Sequence, residues 1–332
     1  PITTTSASVL LSSTNFTVLF LPAFTVWEDI PAEKFQIIGT DDFSGDIIAR
    51  PKVGYWADAW RRFRENKIAL AALIILVLMV IMVIFGPAIS GYNFEQMDTS
   101  AINQTPNAQH WFGTDSLGRD LFARVWQAGR VSLAIGIVGA VVASVVGSIY
   151  GGIASYFGGI VDDIMMRIVE VLLSIPYLII VILISVVTDS KSMGTMMLAL
   201  TLTGWCGIAR LVRGQMLQLK SQEYVLAANA LGVSPFKTIM RHMIPNTIGI
   251  IIVAITFDIP GYIFSEAFLS YIGLGIQPPD TSWGALASAA QQNFMFYPYQ
   301  LFFPSIMIAL TMLSFTLLGD GLRDALDPKL RK

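Results

Sequence analysis

The chain has 332 residues, of which 54% are hydrophobic and only 13% charged, about half the charged share of an ordinary soluble domain. A formal net charge of -2 with no long basic stripe argues against a nucleic-acid partner, and one cysteine, Cys206, excludes an internal disulfide and a cysteine-rich metal site. The apolar residues come in blocks long enough to cross a hydrocarbon layer about 30 Å thick, which takes about 20 helical residues, so an all-α polytopic membrane protein is expected.

Residues 1–30 are rich in Ser and Thr and contain no Lys or Arg, so they lack the basic start of a secretory signal. They are expected to be the disordered part of an extension covering 1–54. From 55 to 67 the chain reads YWADAWRRFRENK. Trp56, Trp60 and Phe63 at helical spacing beside Arg61, Arg62, Arg64 and Lys67 predict an amphipathic helix anchored at the membrane interface. The first transmembrane helix is placed at 68–89, and a polar, extracytoplasmic segment follows at 90–130. Within it, Asp115 and Asp120 in HWFGTDSLGRD are too few oxygen ligands for a calcium loop, and a glycine-rich turn is expected instead.

Five further spans are predicted in a core covering 131–320, near 131–154, 164–187, 195–212, 248–265 and 301–318. Gly139, Ala143, Gly147 and Gly151 recur at intervals of four in the second span, a stripe that lets another helix approach closely. Pro176 and Pro260 remove helix hydrogen bonds and permit kinks. Six spans put both termini on one side. With that side cytoplasmic, all of the 21 Lys and Arg residues except Arg119, Arg124, Arg130 and Lys191 lie inside, in agreement with the positive-inside rule. The expected location is therefore the cell membrane, with both termini and the tail at 321–332 in the cytoplasm. Lys191 and Trp283 are then expected outside, Gly232 and Lys329 inside.

The fourth and fifth spans are joined by a polar loop over 215–246, whose central part reads SQEYVLAANALGVSPFKTIMRHMIPN from Ser221 to Asn246. Its grammar is helix, glycine, helix. Gly232 follows a run of helix formers where a C-terminal cap needs positive φ. Ser234 can cap a second helix, and Pro235 suits its first position. Two short helices meeting at a fixed angle are predicted.

Three carboxylates fall in or near the apolar blocks: Glu170, Asp258 and, close to an outer end, Glu266. Asp258 lies roughly 15 Å along its span at a rise of 1.5 Å per residue, near mid-membrane, where a carboxylate is expensive and must face a cavity or a partner. A structural hydrogen bond is the first expectation for it and a place on a pathway the second. No GxxxxGK[ST] phosphate loop occurs, and His110 and His242 do not form an HExxH pair, so neither ATP hydrolysis nor metal-dependent hydrolysis has its usual machinery here. No cofactor or metal is expected in this chain.

The loop resembles the cytoplasmic loop of ABC importer permeases, which reads Glu-Ala-Ala, three residues, Gly, then about nine residues to Ile-x-Leu-Pro. Ala227, Ala228, Gly232, Ile244 and Pro245 match; Leu226 and His242 replace the family's Glu and Ile, and Glu223 lies one helical turn before Leu226. HWFGTDSLGRD with its continuation LFARVWQAGRVSL is similar to the signature of the dipeptide and oligopeptide group of these permeases. So are SEAFLSYIGLGIQPPDTSWG at 265–284 and LLGDGLRDALDPKLRK at the end.

The resemblance covers Trp56 to Lys332 and points to the second, C-type permease of a pair with the type I importer fold. It implies a homologous second permease, two cytoplasmic ATPases that use ATP and Mg, and an extracytoplasmic peptide-binding protein or lipoprotein. It also implies import of oligopeptides by alternating access. The ATPase-coupling loop would comprise Glu223, Ala227, Ala228, Gly232, Ser234, Pro235, Ile244 and Pro245, with Ala228 in the interface to an ATPase. Dipeptides, nickel or glutathione are alternative substrates within the group. An ion-coupled secondary transporter would show inverted repeats and paired intramembrane carboxylates, and neither is found.

Overall fold

The computed structural model describes residues 54–327, except for 191 and 279. The extension before Gly54, Lys191 and Lys329 therefore fall outside the described residues. Helices dominate, and among the described residues five are long and apolar enough to span a membrane; a bent pair, if one span, brings the number to six.

Helix α1 (Tyr55–Glu65) buries Ala59 and Phe63 and leaves Trp56 and Trp60 exposed. Asp58 pairs with Arg61 at 2.6 Å and with Arg62, and the Arg62 guanidinium, with Arg61 beside it, holds the Asp58 carboxyl below its ordinary range. Asn66 separates α1 from α2 (Lys67–Ile89) and accepts a hydrogen bond from the Ala69 amide at 3.1 Å. That amide is one of the orphan donors at a helix start. Along α2 only Ala69, Ala72, Leu76, Met79, Val83 and Gly86 are buried. They form a single stripe with a spacing of three and four, and the rest of the surface is left for lipid.

The segment after α2 folds back on itself before α3 (Leu121–Phe157). Asp120 organises its end by accepting from the Ala123 amide at 2.8 Å and meeting His110 Nδ1 at 2.9 Å. Gln300 ties the segment to the last helix by donating to Asn103 at 2.8 Å and to the Thr114 carbonyl at 2.9 Å. The second span was expected from 131, but its helix starts ten residues earlier. LFARVWQAGR is helical because Asp120 caps it and its apolar side, including Leu121, Val125 and Ala128, is buried. With 37 residues, α3 is about 55 Å long and outreaches the bilayer.

The expected third span is broken. Helices α4 (Gly159–Ser174) and α5 (Tyr177–Thr188) meet at 83°. Pro176 drives Ile175 out of the helical region, to φ -84° and ψ 122°, as a proline does to the residue before it. The remaining spans are α6 (Met193–Lys220), α9 (Ile244–Tyr271) and α11 (Pro298–Leu326). A short α10 (Trp283–Gln291) packs between α9 and α11.

The most extensive packing is between α3 and α6, and the small-residue stripe makes it possible. A Cβ on Gly151 would stand 2.3 Å from the Ala209 carbonyl, and one on Gly147 2.6 Å from the Trp205 carbonyl, so only glycine admits this backbone approach. Gly139 instead makes room for the ring of Tyr262 of α9, 2.9 Å from where its Cβ would stand. Cys206, on α6, is fully buried and free.

Candidate functional site

Helix α7 (Glu223–Ala230) and helix α8 (Pro235–Thr238) form the loop between α6 and α9. The α7 end is a Schellman cap. Gly232 has φ +74°, its amide donates to the Asn229 carbonyl at 3.0 Å, and the Val233 amide donates to the Ala228 carbonyl at 3.0 Å. Pro235 occupies the first turn of α8 as expected, whereas Ser234 stands at the cap position without a side-chain hydrogen bond. Its own carbonyl accepts from the Thr238 amide at 2.9 Å, so the turn closes without the hydroxyl.

The second helix is not short. α8 continues through a π-helical turn, Ile239–Met243, directly into α9, giving one element from Pro235 to Tyr271, 37 residues long. Pro245 explains the wide turn: it has no amide to donate, and its ring would strike a carbonyl four residues back in a regular α-helix. Ile244 and Pro245 thus lie inside a continuous helix that carries the loop into the membrane.

The loop has two faces. Val225 and Ala228 are turned inward, and Val225 joins Met216, Ile239 and Met243 in a small core. Tyr156 of α3 donates to the Asn229 side chain at 3.0 Å. Ala228 was expected to face a partner and is instead buried within its own chain, because a helix residue three positions from Val225 shares its face. The outer face presents Glu223 and Ala227 together with Leu226, Leu231 at 83% exposure and Phe236 at 65%. Large apolar side chains left exposed on a polar loop are the kind of surface that a partner covers. Leu226, Leu231 and Phe236 were not singled out in the sequence; the signal was in their size at positions where a polar residue costs nothing.

The three intramembrane acids have different roles. Glu170 lies on the surface of α4, ion-paired with Arg167 at 2.9 Å, beside Arg210 and Arg213 in a charged cavity of ≈ 690 Å³. It stands one helical turn before the end of α4, ahead of the break at Pro176. Glu266 is fully buried and accepts from the hydroxyls of Ser132 at 3.2 Å, Ser270 at 2.7 Å and Ser282 at 2.5 Å. Ser132 in turn accepts from the Trp283 amide at 3.1 Å, Ser282 caps α10 through the Ala285 amide at 3.1 Å, and the Trp283 indole donates to the Val125 carbonyl at 2.9 Å. Glu266 is therefore a structural node joining α3, α9 and α10. Asp258 stands midway along α9 and lines a cavity of ≈ 300 Å³ between α5, α6 and α9.

Residues 54–106 match the N-terminal transmembrane domain of oligopeptide transport permease C, and residues 141–332 match the binding-protein-dependent transport system inner membrane component. The chain is 47% identical over 304 residues to the dipeptide transport system permease protein DppC of Bacillus subtilis, covering 91% of this chain and 95% of that one. It is 45% identical to the oligopeptide transport system permease protein OppC of the same organism, covering 92% and 100%. With OppC of Escherichia coli strain K12 the identity is 43%, covering 82% and 91%. Among solved structures, an inward-facing MetNI methionine ABC transporter aligns with a TM-score of 0.50 and 19% identity, over 62% of this chain and 96% of that one; this supports the type I importer permease fold alone. The chain belongs to the binding-protein-dependent transport system inner membrane components, as a C-type permease of the oligopeptide and dipeptide group.

Proposed function

We propose that this chain is one of two permease subunits of an ATP-driven peptide importer, the C-type half of a translocation path that faces either side of the membrane in turn. The observation that carries this reading is the continuity of Pro235–Tyr271. It joins an exposed apolar loop face at one end to the Asp258 cavity in its middle. A contact at the loop that differs between two states of a partner is then transmitted to the path without an intervening hinge. A contact equal in both states would shift nothing.

In this reading Leu226, Leu231 and Phe236, with Glu223 and Ala227, dock on a cytoplasmic ATPase. ATP is bound there with Mg and hydrolysed, and the permease itself catalyses nothing. Both termini and the loop lie in the cytoplasm, as the distribution of Lys and Arg supports. The segment around Asp115 and Asp120 lies outside, where a peptide-binding protein delivers its load. The names of the relatives, dipeptide and oligopeptide permeases, favour peptides over nickel or an ion-coupled substrate.

The test is copurification of the intact complex, followed by uptake into proteoliposomes of labelled di-, tri- and longer peptides, with nickel as a competitor substrate. ATP-dependent uptake of peptides and none of nickel is expected. Nickel uptake without peptide uptake would replace the substrate assignment.

A further inference from the structure

The Asp258 cavity contains an anionic group with no cation to match it. Among the described residues that line it, Asp258 is the only ionisable side chain apart from tyrosines, and none is a Lys, Arg or His. One helical turn further on, the Tyr262 side chain is 8% exposed and its hydroxyl has no hydrogen-bond partner. That hydroxyl is held where it is by Gly204, at which a Cβ would stand 1.9 Å from it. Thr203 and Ser265 add two hydroxyls to the lining, Tyr177, placed there by the break at Pro176, adds a second phenol ring, and Phe257 a third aromatic ring. An isolated carboxylate within a membrane span is a costly feature, and a cationic ligand entering the cavity would offset that cost. Phenol rings around it suit an ammonium group through cation–π attraction.

We propose that this cavity is a transient binding site for the α-ammonium group of a peptide in transit, with Asp258 as the counter-ion and the Tyr262 hydroxyl as an acceptor. This rests on the peptide-importer reading above. The volume of ≈ 300 Å³ is at the low end for small-molecule pockets, room for one end of a peptide and not the whole of it. The free amino end is the one cationic group that unmodified peptides share whatever their side chains, so a site for it is compatible with a broad range of sequences. Thr203 or Ser265 accepts from the third ammonium proton, and a site with a single ion pair stays weak enough to release its occupant.

The complex of permeases and ATPases, without binding protein and in lipid nanodiscs, carries Gly261→Cys, at a lining position with open space for a side chain, as a reporter in a Cys206→Ser background, and its alkylation rate is followed. Trialanine is expected to slow alkylation and N-acetyl-trialanine to leave it nearly unchanged. Asp258→Asn is expected to raise the trialanine concentration needed about tenfold, the scale of one charged hydrogen bond. Tyr262→Phe is expected to raise it about threefold, the scale of a neutral one, and Asp258→Glu to restore most of the protection. Equal protection by both peptides, or protection unaffected by Asp258→Asn, would overturn the site. So would loss of the second permease from the Asp258→Asn complex, which would assign the carboxylate to a basic residue of that partner. Uptake by the complete wild-type system with binding protein is measured in parallel. Absent peptide uptake there refutes the importer reading itself, whereas normal uptake with unchanged protection refutes only the ammonium site.

Discussion

Gly232 has open space around the place where a Cβ would stand, so its requirement is purely one of backbone conformation. At φ +74° a β-branched residue costs about 1–3 kcal/mol, while asparagine tolerates the region better. Gly232→Val is expected to abolish most peptide uptake and Gly232→Asn to retain most of it, measured in proteoliposomes at equal permease content. Glu266 acts through satisfaction of its neighbours. Glu266→Ala leaves three serine hydroxyls without their common acceptor, at about 1–3 kcal/mol for a buried unsatisfied group, and is expected to lower the thermal midpoint of the complex more than Glu266→Gln does. The two residues differ in how legible they were. The positive φ of Gly232 followed from a local pattern, but the role of Glu266 depends on Ser132 and Ser282, which are distant in sequence and reach it only through the packing of α3 and α10.

Among the elements, hydropathy was enough to find the spans, because lipid imposes length and composition directly. The polarity of a helix outside the lipid carries no such signal, which is why the first ten residues of α3 were read as part of a loop. Pro176 and Pro245 had opposite outcomes that local sequence does not separate: one breaks a span at 83°, while the other is absorbed by a π turn within a continuous helix. The small-residue stripe was read correctly, since close approach depends on side-chain size alone. Gly151→Leu would drive its side chain into the Ala209 carbonyl of α6. It is expected to cost about 1–3 kcal/mol or more as overpacking, seen as reduced yield of folded permease in detergent. Gly207→Leu, at a site with open space around it, is expected to leave the yield near normal.

For the molecule as a whole, the helix Pro235–Tyr271 runs from the exposed apolar face near Gly232, past the carboxylate cavity in its middle, to the Glu266 node that joins its far end to α3 and α10. In the proposed function, docking energy applied at the first would be felt at the second because the third holds still. A purely structural loop would need no exposed Leu231 and Phe236, and those two side chains offer the most direct test. Proteoliposomes with the complete importer carrying Leu231→Asp and Phe236→Asp together are assayed for peptide uptake and ATP hydrolysis, with subunit stoichiometry read from gels. The account predicts uptake near background, with ATPases lost or hydrolysing without transport, while the permease remains inserted and the binding protein still binds peptide. Normal uptake with a full complement of ATPases would contradict it.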